Sequence, residues 1–231
     1  MADTDGDEFD ENAVLPSQMR TISNQVTELT VSCDQPCSPS FLVKLAIDAA
    51  PGCGGIAWPA GCVLSNYLCS RKSLRGLTVV ELGSGTGLVG IVAGLMQAEK
   101  VWITDQEPLL DLMHMNVSLN GLSSSVDVLQ LDWGPQLPST VPLEPDLVLA
   151  ADCVYFEPAF DLLVSTLCAL ATSPRTEILF CYKKRRKADK RFFTLLKKEF
   201  TWVVVADDPR SQEYVREGIF LYRLVKKKTP R

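Results

Sequence analysis

Residues Val79 to Gly90 read Val-Val-Glu-Leu-Gly-Ser-Gly-Thr-Gly-Leu-Val-Gly, and this stretch constrains the fold more than any other. A short run rich in β-branched residues stops at a carboxylate, Glu81, turns through Gly83, Ser84, Gly85 and Gly87, and opens into a helical pattern. Strand, glycine turn and helix in that order begin a nucleotide-type α/β unit. Only a residue without Cβ lets the backbone take positive φ and approach a ligand closely. A second short strand, Lys100 to Asp105, ends on an acid followed by Gln106. Folds of this kind place there the carboxylate that grips a ribose diol. The two features together predict an adenosine-containing cofactor.

Gly85 to Gly90 is literally G-x-G-x-x-G, so a dinucleotide-binding oxidoreductase is one reading. The fuller string Glu81 to Gly87 instead resembles the first motif of the class I, seven-stranded methyltransferases, which bind S-adenosylmethionine. That resemblance implies a loop wrapped around the methionine and ribose portions, with Glu81 orienting the amino-acid end.

The alternation along the chain fits such a fold. A helix over Pro59 to Ser70 precedes the strand Thr78 to Leu82, and strands near 101–104, 126–131, 145–152 and 177–182 alternate with helices near 87–97, 108–120 and 160–171. A helix over 188–200 and two final strands, 202–206 and 219–224, complete the pattern, with no helix expected between those two. Alternating strands and helices predict a mostly parallel sheet, and the unbridged last pair predicts an antiparallel hairpin. The fold class is therefore α/β, Rossmann-like, with the seven strands of the class I methyltransferases. With 231 residues the chain suits one buried domain, here residues 51–231, after a strand-containing N-terminal extension over 13–50.

Residues 1–12 carry six acids and almost no large apolar side chain, which predicts a disordered tail. Without that tail, the net charge of −5 becomes close to neutral, so a nucleic-acid partner is not expected. No apolar run approaches the roughly 18–20 residues that span a bilayer, and no signal-peptide pattern is present. A cytoplasmic location is expected, with nuclear entry left open by the basic run Lys183 to Arg191. That run is read as a solvated helix start or as a docking surface for an acidic partner. Nothing such as a heptad repeat demands assembly, and a monomer is expected. The eight cysteines lack a C-x-x-C pair, so reduced thiols rather than zinc or disulfides are the default. His114, the only histidine, falls in a helical pattern and reads as packing rather than catalysis.

Further motifs fall in order along the chain: Gly54 to Trp58, then Leu131-Asp132-Trp133-Gly134, then Ala150-Ala151-Asp152-Cys153-Val154-Tyr155. The last lies at the end of the fourth strand, where open α/β sheets bind ligands. Many amino methyltransferases carry [D/N]-P-P-[Y/F] there; this chain has Asp-Cys-Val-Tyr, without the prolines. The set resembles the family 16 protein-lysine methyltransferases, which include the methyltransferase-like 21 group, over about residues 50–200. The resemblance implies that Trp58 lies along the cofactor and Trp133 beside its adenine, with Asp132 and Ala151 at the same site. It implies a protein substrate, with a lean towards translation elongation factor one-alpha, other family targets being chaperones and an AAA ATPase. Pro59 stands where many members carry an acid, so that side chain's role is not inherited.

Methyl transfer from a sulfonium is an SN2 displacement, governed by alignment. A lysine ammonium, with a free pKa of about 10.4, must first lose its proton. Desolvation beside a cation lowers that value. Asp152 and Tyr155, with the local carbonyls, are expected to orient the amine and accept its N–H bonds. The plainer alternative makes Asp152 the cap of a helix starting near Glu157, and Tyr155 a packing residue. A methyltransferase of RNA or a small molecule, and a catalytically silent cofactor-binding module, are the other functional readings.

Overall fold

The computed structural model describes residues 25–33, 38–49, 53–71 and 73–228; the acidic tail lies outside them. The chain opens with an antiparallel pair, β1 (Gln25–Ser32) and β2 (Ser40–Ile47), followed by helix α1 (Pro59–Ser70). Pro59 fits the first turn of α1 because it has no N–H to leave unpaired there. Strand and helix then alternate through β3 (Thr78–Leu82), α2 (Leu88–Leu95), β4 (Lys100–Asp105), α3 (Leu110–Leu119), β5 (Val126–Gln130) and β6 (Leu147–Ala151). The remainder is α4 (Phe160–Leu170), β7 (Glu177–Lys183), α5 (Asp189–Glu199), β8 (Phe200–Val204), α6 (Ser211–Arg216) and β9 (Ile219–Lys226).

The main sheet runs β5-β4-β3-β6-β7-β9-β8, parallel from β5 to β7, with β9 antiparallel to both neighbours. This is the seven-stranded α/β sheet that the strand–helix alternation predicts. Alternate residues of the central strands feed two cores: Val79, Leu147 and Leu149 face α1 and α2, while Val80, Leu82 and Val148 face α4 and α5. Leu147 to Ala150 are fully buried, as an apolar strand covered on both faces requires.

One expectation fails: α6 stands between the last two strands. It is six residues long, has no buried residue, and ends at Gly218 with φ of 75°. A polar helix that short has no apolar stripe for periodicity to reveal. Lys226, the first of three consecutive lysines near the C-terminus, is the last residue of β9, and its ammonium donates to the Cys168 carbonyl at 2.7 Å.

The N-terminal hairpin joins the same core, with Val31, Val43 and Leu45 buried in it. Two asparagines of α3 and its C-cap pair with β2 as another strand would. Asn116 accepts from the Ala46 N–H at 2.6 Å and donates to the carbonyls of Ala46 (3.0 Å) and Thr86 (2.9 Å). Asn120 accepts from and donates to the Lys44 backbone at 3.0 and 2.7 Å. Thr86 belongs to the glycine turn, so the buried Asn116 ties the hairpin to it. Asn116→Ala leaves buried backbone groups unpaired and is expected to cost about 2–4 kcal/mol, read as a lower urea midpoint. An unchanged midpoint would show that water replaces the amide at no cost.

Candidate active site

Strand β3 has β4 on one side and β6 on the other, so the chain's course across the sheet reverses direction there. Crevices at such switch points, outside the carboxyl ends of the strands, are where these sheets bind ligands. A cavity of about 440 Å³ occupies that place. Twelve of the thirteen residues singled out from the sequence line it. Gly87 is the exception; it caps α2 with φ of 79° instead.

The glycine turn is fixed by side chains from both central strands. Asp105 accepts the Gly85 N–H at 2.7 Å on one oxygen and the Gln106 N–H at 2.8 Å on the other. Thr104 donates its hydroxyl to the Glu81 carbonyl at 2.7 Å, and the Thr104 N–H donates to the Ser84 hydroxyl at 2.9 Å. At Gly85, φ is 56°, and a Cβ would lie 2.5 Å from the Gly54 carbonyl oxygen. No side chain fits there. The Glu81 carboxylate, 2% exposed, accepts the Gly90 N–H of α2 at 2.9 Å. Burial pushes its pKa up to about 8, against the lowering effect of that bond. Burial also raises the Asp105 carboxyl, with the Gly85 and Gln106 N–H groups opposing it.

On the adenine side predicted from sequence, Trp133 and Asp132 follow β5. Gln106 donates to Asp132 at 3.3 Å and Gln130 at 3.0 Å. The Gly134 N–H donates to the Thr166 hydroxyl of α4 at 2.8 Å, which fixes the Trp133 loop. The Trp133 ring and the Cys153 thiol close over the turn: a Cβ on Gly83 would lie 2.9 and 3.0 Å from them.

Asp152 follows β6 with φ of 57°, a left-handed conformation uncommon for a residue with Cβ. Such strain persists only where the surroundings over-determine it, and it clusters at functional sites. Here the surroundings do. The Asp152 N–H donates to the Cys181 carbonyl of β7 at 2.9 Å. One carboxylate oxygen accepts the Lys183 N–H at 3.0 Å and Arg185 at 2.8 Å; the other accepts Arg185 at 2.9 Å and the Ala60 N–H at 3.4 Å. Asp152 therefore looks back to α1 and β7 and does not cap the turn at Glu157. The Arg185 guanidinium also lies 4.9 Å from the Trp58 ring centre, in cation–π range. Trp58 and Tyr155 pack together on Ala49 and Ile56.

The basic run is thus a solvated helix start only in part: Lys184, Lys187, Lys190 and Arg191 are exposed, while two arginines turn inward. Arg185 reaches Asp152, Arg186 donates to the Tyr155 carbonyl, and Arg191 pairs with Glu157. Two arginines, Arg185 and Arg186, hold the loop that carries Asp152 and Tyr155, while the Arg191–Glu157 pair lies on the surface just beyond it. Arg185 lines the cavity and pairs with Asp152, and the sequence reading did not single it out. His114 is exposed on α3, away from the cavity. Cys33, Cys62, Cys69, Cys153, Cys168 and Cys181 are free thiols among the described residues.

A family model described as lysine methyltransferase matches residues 40–199. The chain belongs to the lysine methyltransferase family. Protein-lysine N-methyltransferase EFM6 of Saccharomyces cerevisiae is 38% identical over 203 residues, covering 76% of this chain and 82% of that protein. Protein N-lysine methyltransferase METTL21A of Mus musculus is 39% identical over 168 residues, covering 71% and 76%. Among solved structures, the T. thermophilus 16S rRNA N2 G1207 methyltransferase RsmC, in complex with AdoMet and guanosine, superposes with a TM-score of 0.57 at 15% identity. It covers 88% of this chain and 51% of that one, a likeness of fold alone.

As a lysine methyltransferase the chain transfers a methyl group from S-adenosylmethionine to a protein lysine. The cavity suits that donor: its volume falls within the about 300–1,000 Å³ usual for ligand sites. It combines a ribose-type carboxylate, Asp105, with an apolar Leu131–Trp133 wall and a turn where a Cβ would obstruct entry. Among the described residues, no helix is long and apolar enough to cross a membrane.

Proposed function

We propose that the cavity divides into a donor end, built by Glu81, Gly83, Ser84, Gly85, Asp105, Gln106, Asp132 and Trp133, and an amine end, built by Trp58, Ala151, Asp152 and Tyr155. Glu81 holds the amino-acid end of S-adenosylmethionine, Asp105 its ribose, and Trp133 packs at its adenine. S-adenosylmethionine supplies an electrophilic methyl: the amine lone pair forms the N–C bond while the C–S pair leaves with sulfur, and the nitrogen gives up a proton. The observation that carries the reading is the strained, four-times-bonded Asp152 at the switch-point cavity. Its carboxylate has its acceptor positions filled by the protein's own donors. We therefore assign the amine's N–H bonds to backbone carbonyls of the 152–154 loop. Asp152 fixes that loop, and Tyr155 and Trp58 wall the lysine channel.

We further propose translation elongation factor one-alpha as substrate, acting in the cytoplasm. EEF1A lysine methyltransferase 3 of Mus musculus, 34% identical over 200 residues, supports that choice. Recombinant elongation factor from bacteria, incubated with enzyme and S-adenosylmethionine, is expected to gain methyl groups on one lysine by mass spectrometry. Label on other lysate proteins but not on this one would overturn the choice of substrate and leave the chemistry standing.

Glu81 gives the donor end a pH signature. Its folded pKa, about 8, lies above the ordinary carboxylate value, so its contribution to stability is complete below about 4.5 and is lost as pH rises through about 8. A cationic amino group at Glu81 favours the ionised form, so donor affinity is expected to rise with pH between these values, with proton release. Calorimetry in two buffers of different ionisation enthalpy reads that release, and Glu81→Gln is expected to remove it. Equal proton counts in the two proteins would detach Glu81 from the donor.

A further inference from the structure

We propose that Arg185 neutralises Asp152 so that the target lysine is held as a free amine rather than trapped as an ammonium. Arg185 is thus a positioning residue that sets the substrate's protonation state. The proposal rests on the reading that the amine docks at the 152–155 loop.

A carboxylate with only 4% of its side chain exposed, placed beside a lysine channel, attracts a cation. Its natural guest is the lysine ammonium, and an ammonium has no lone pair with which to attack a methyl group. Left uncompensated, Asp152 therefore binds the unreactive form of the substrate best. Arg185 meets this carboxylate with both arms of its fork, at 2.8 and 2.9 Å. Its guanidinium also lies against the Trp58 ring, 4.9 Å from the centre. The Arg185 and Arg186 N–H groups both donate to Asp189, at 3.2 and 3.1 Å, which fixes the backbone from which the side chain reaches. A guanidinium keeps its charge across the working pH range and matches a carboxylate bidentately.

Other titratable groups face the pair. Cys62 of α1, Cys153 of the loop and Cys181 of β7 are all raised by burial, so they stay neutral thiols at neutral pH. Tyr155 flanks the pair in the loop, Arg186 is countered by Asp189, and Glu81 and Asp105 lie at the donor end. Glu81 titrates near the assay range but acts on donor binding. Saturating S-adenosylmethionine at every pH removes its effect.

The test is kcat against pH, from about 6.5 to 10, for wild type, Arg185→Gln, Arg185→Lys and the Asp152→Asn/Arg185→Gln double variant. The probe is recombinant elongation factor one-alpha or, if wild type leaves it unlabelled, the lysate band that wild type does label. Arg185→Gln is expected to raise the midpoint by about one unit, with about tenfold lower turnover near pH 7, recovery at alkaline pH, and KM not raised. Arg185→Lys keeps the wild-type midpoint. The double variant, which lacks both charges, returns to it while turning over more slowly throughout. Loss by one factor at every pH, or a double variant with the raised midpoint, overturns the proposal. A wild type that labels no protein overturns the function reading, and this proposal with it.

Discussion

Asp152→Asn is expected to lower turnover on a protein lysine by roughly 100-fold while leaving S-adenosylmethionine affinity close to wild type. Asparagine is chosen because it tolerates the left-handed backbone found at φ of 57° and still offers one oxygen to the Lys183 or Ala60 N–H. What it removes is the charge and half of the fork that holds Arg185. The loop carbonyls then lose their fixed position, and catalysis by alignment is sensitive to displacements of about 1 Å. Asp105 and the glycine turn keep their own bonds, so the donor end is untouched. Turnover comparable to wild type would remove Asp152 from the mechanism. Parallel loss of donor binding would mean that the two ends of the cavity are not separable.

Gly85→Ala is expected to have the opposite profile. Its Cβ would stand 2.5 Å from the Gly54 carbonyl oxygen, a backbone atom that cannot swing aside as a flexible side-chain end does. The left-handed φ of 56° adds about 1–2 kcal/mol of strain. Relief of either shifts the N–H that Asp105 holds at 2.7 Å. Loss of S-adenosylmethionine affinity by at least tenfold follows at about 1.4 kcal/mol per decade, read by calorimetry, with turnover recovering as donor concentration rises. Unchanged affinity would show that the turn does not shape the donor site.

The parts legible in the sequence were those whose chemistry is local. The glycine turn, the acid ending β4 and the apolar β6 each declare themselves within a dozen residues. Their joint placement follows from the parallel sheet that strand–helix alternation predicts. Arg185 was not legible for a physical reason: within a charge run, residue type does not sort a solvated cation from a paired one. The pairing of Ala151 with Cys181 across β6 and β7 decides it, bringing Asp152 beside residues 183–185. The hairpin strands were visible, but their docking through Asn116 and Asn120 was not, because asparagine side chains carry no periodic signal. Helix α6 was missed because six mostly polar residues are too few to show a face.

The central claim, methyl transfer to a protein lysine at the Asp152 loop, is tested most directly by incubating the purified enzyme with radiolabelled S-adenosylmethionine and whole-cell lysate, with Asp152→Asn alongside. A discrete labelled protein band, strongly reduced with the variant and mapping to lysine, is the predicted result. Label confined to the RNA or small-molecule fraction, or a band of equal strength with the variant, would contradict it.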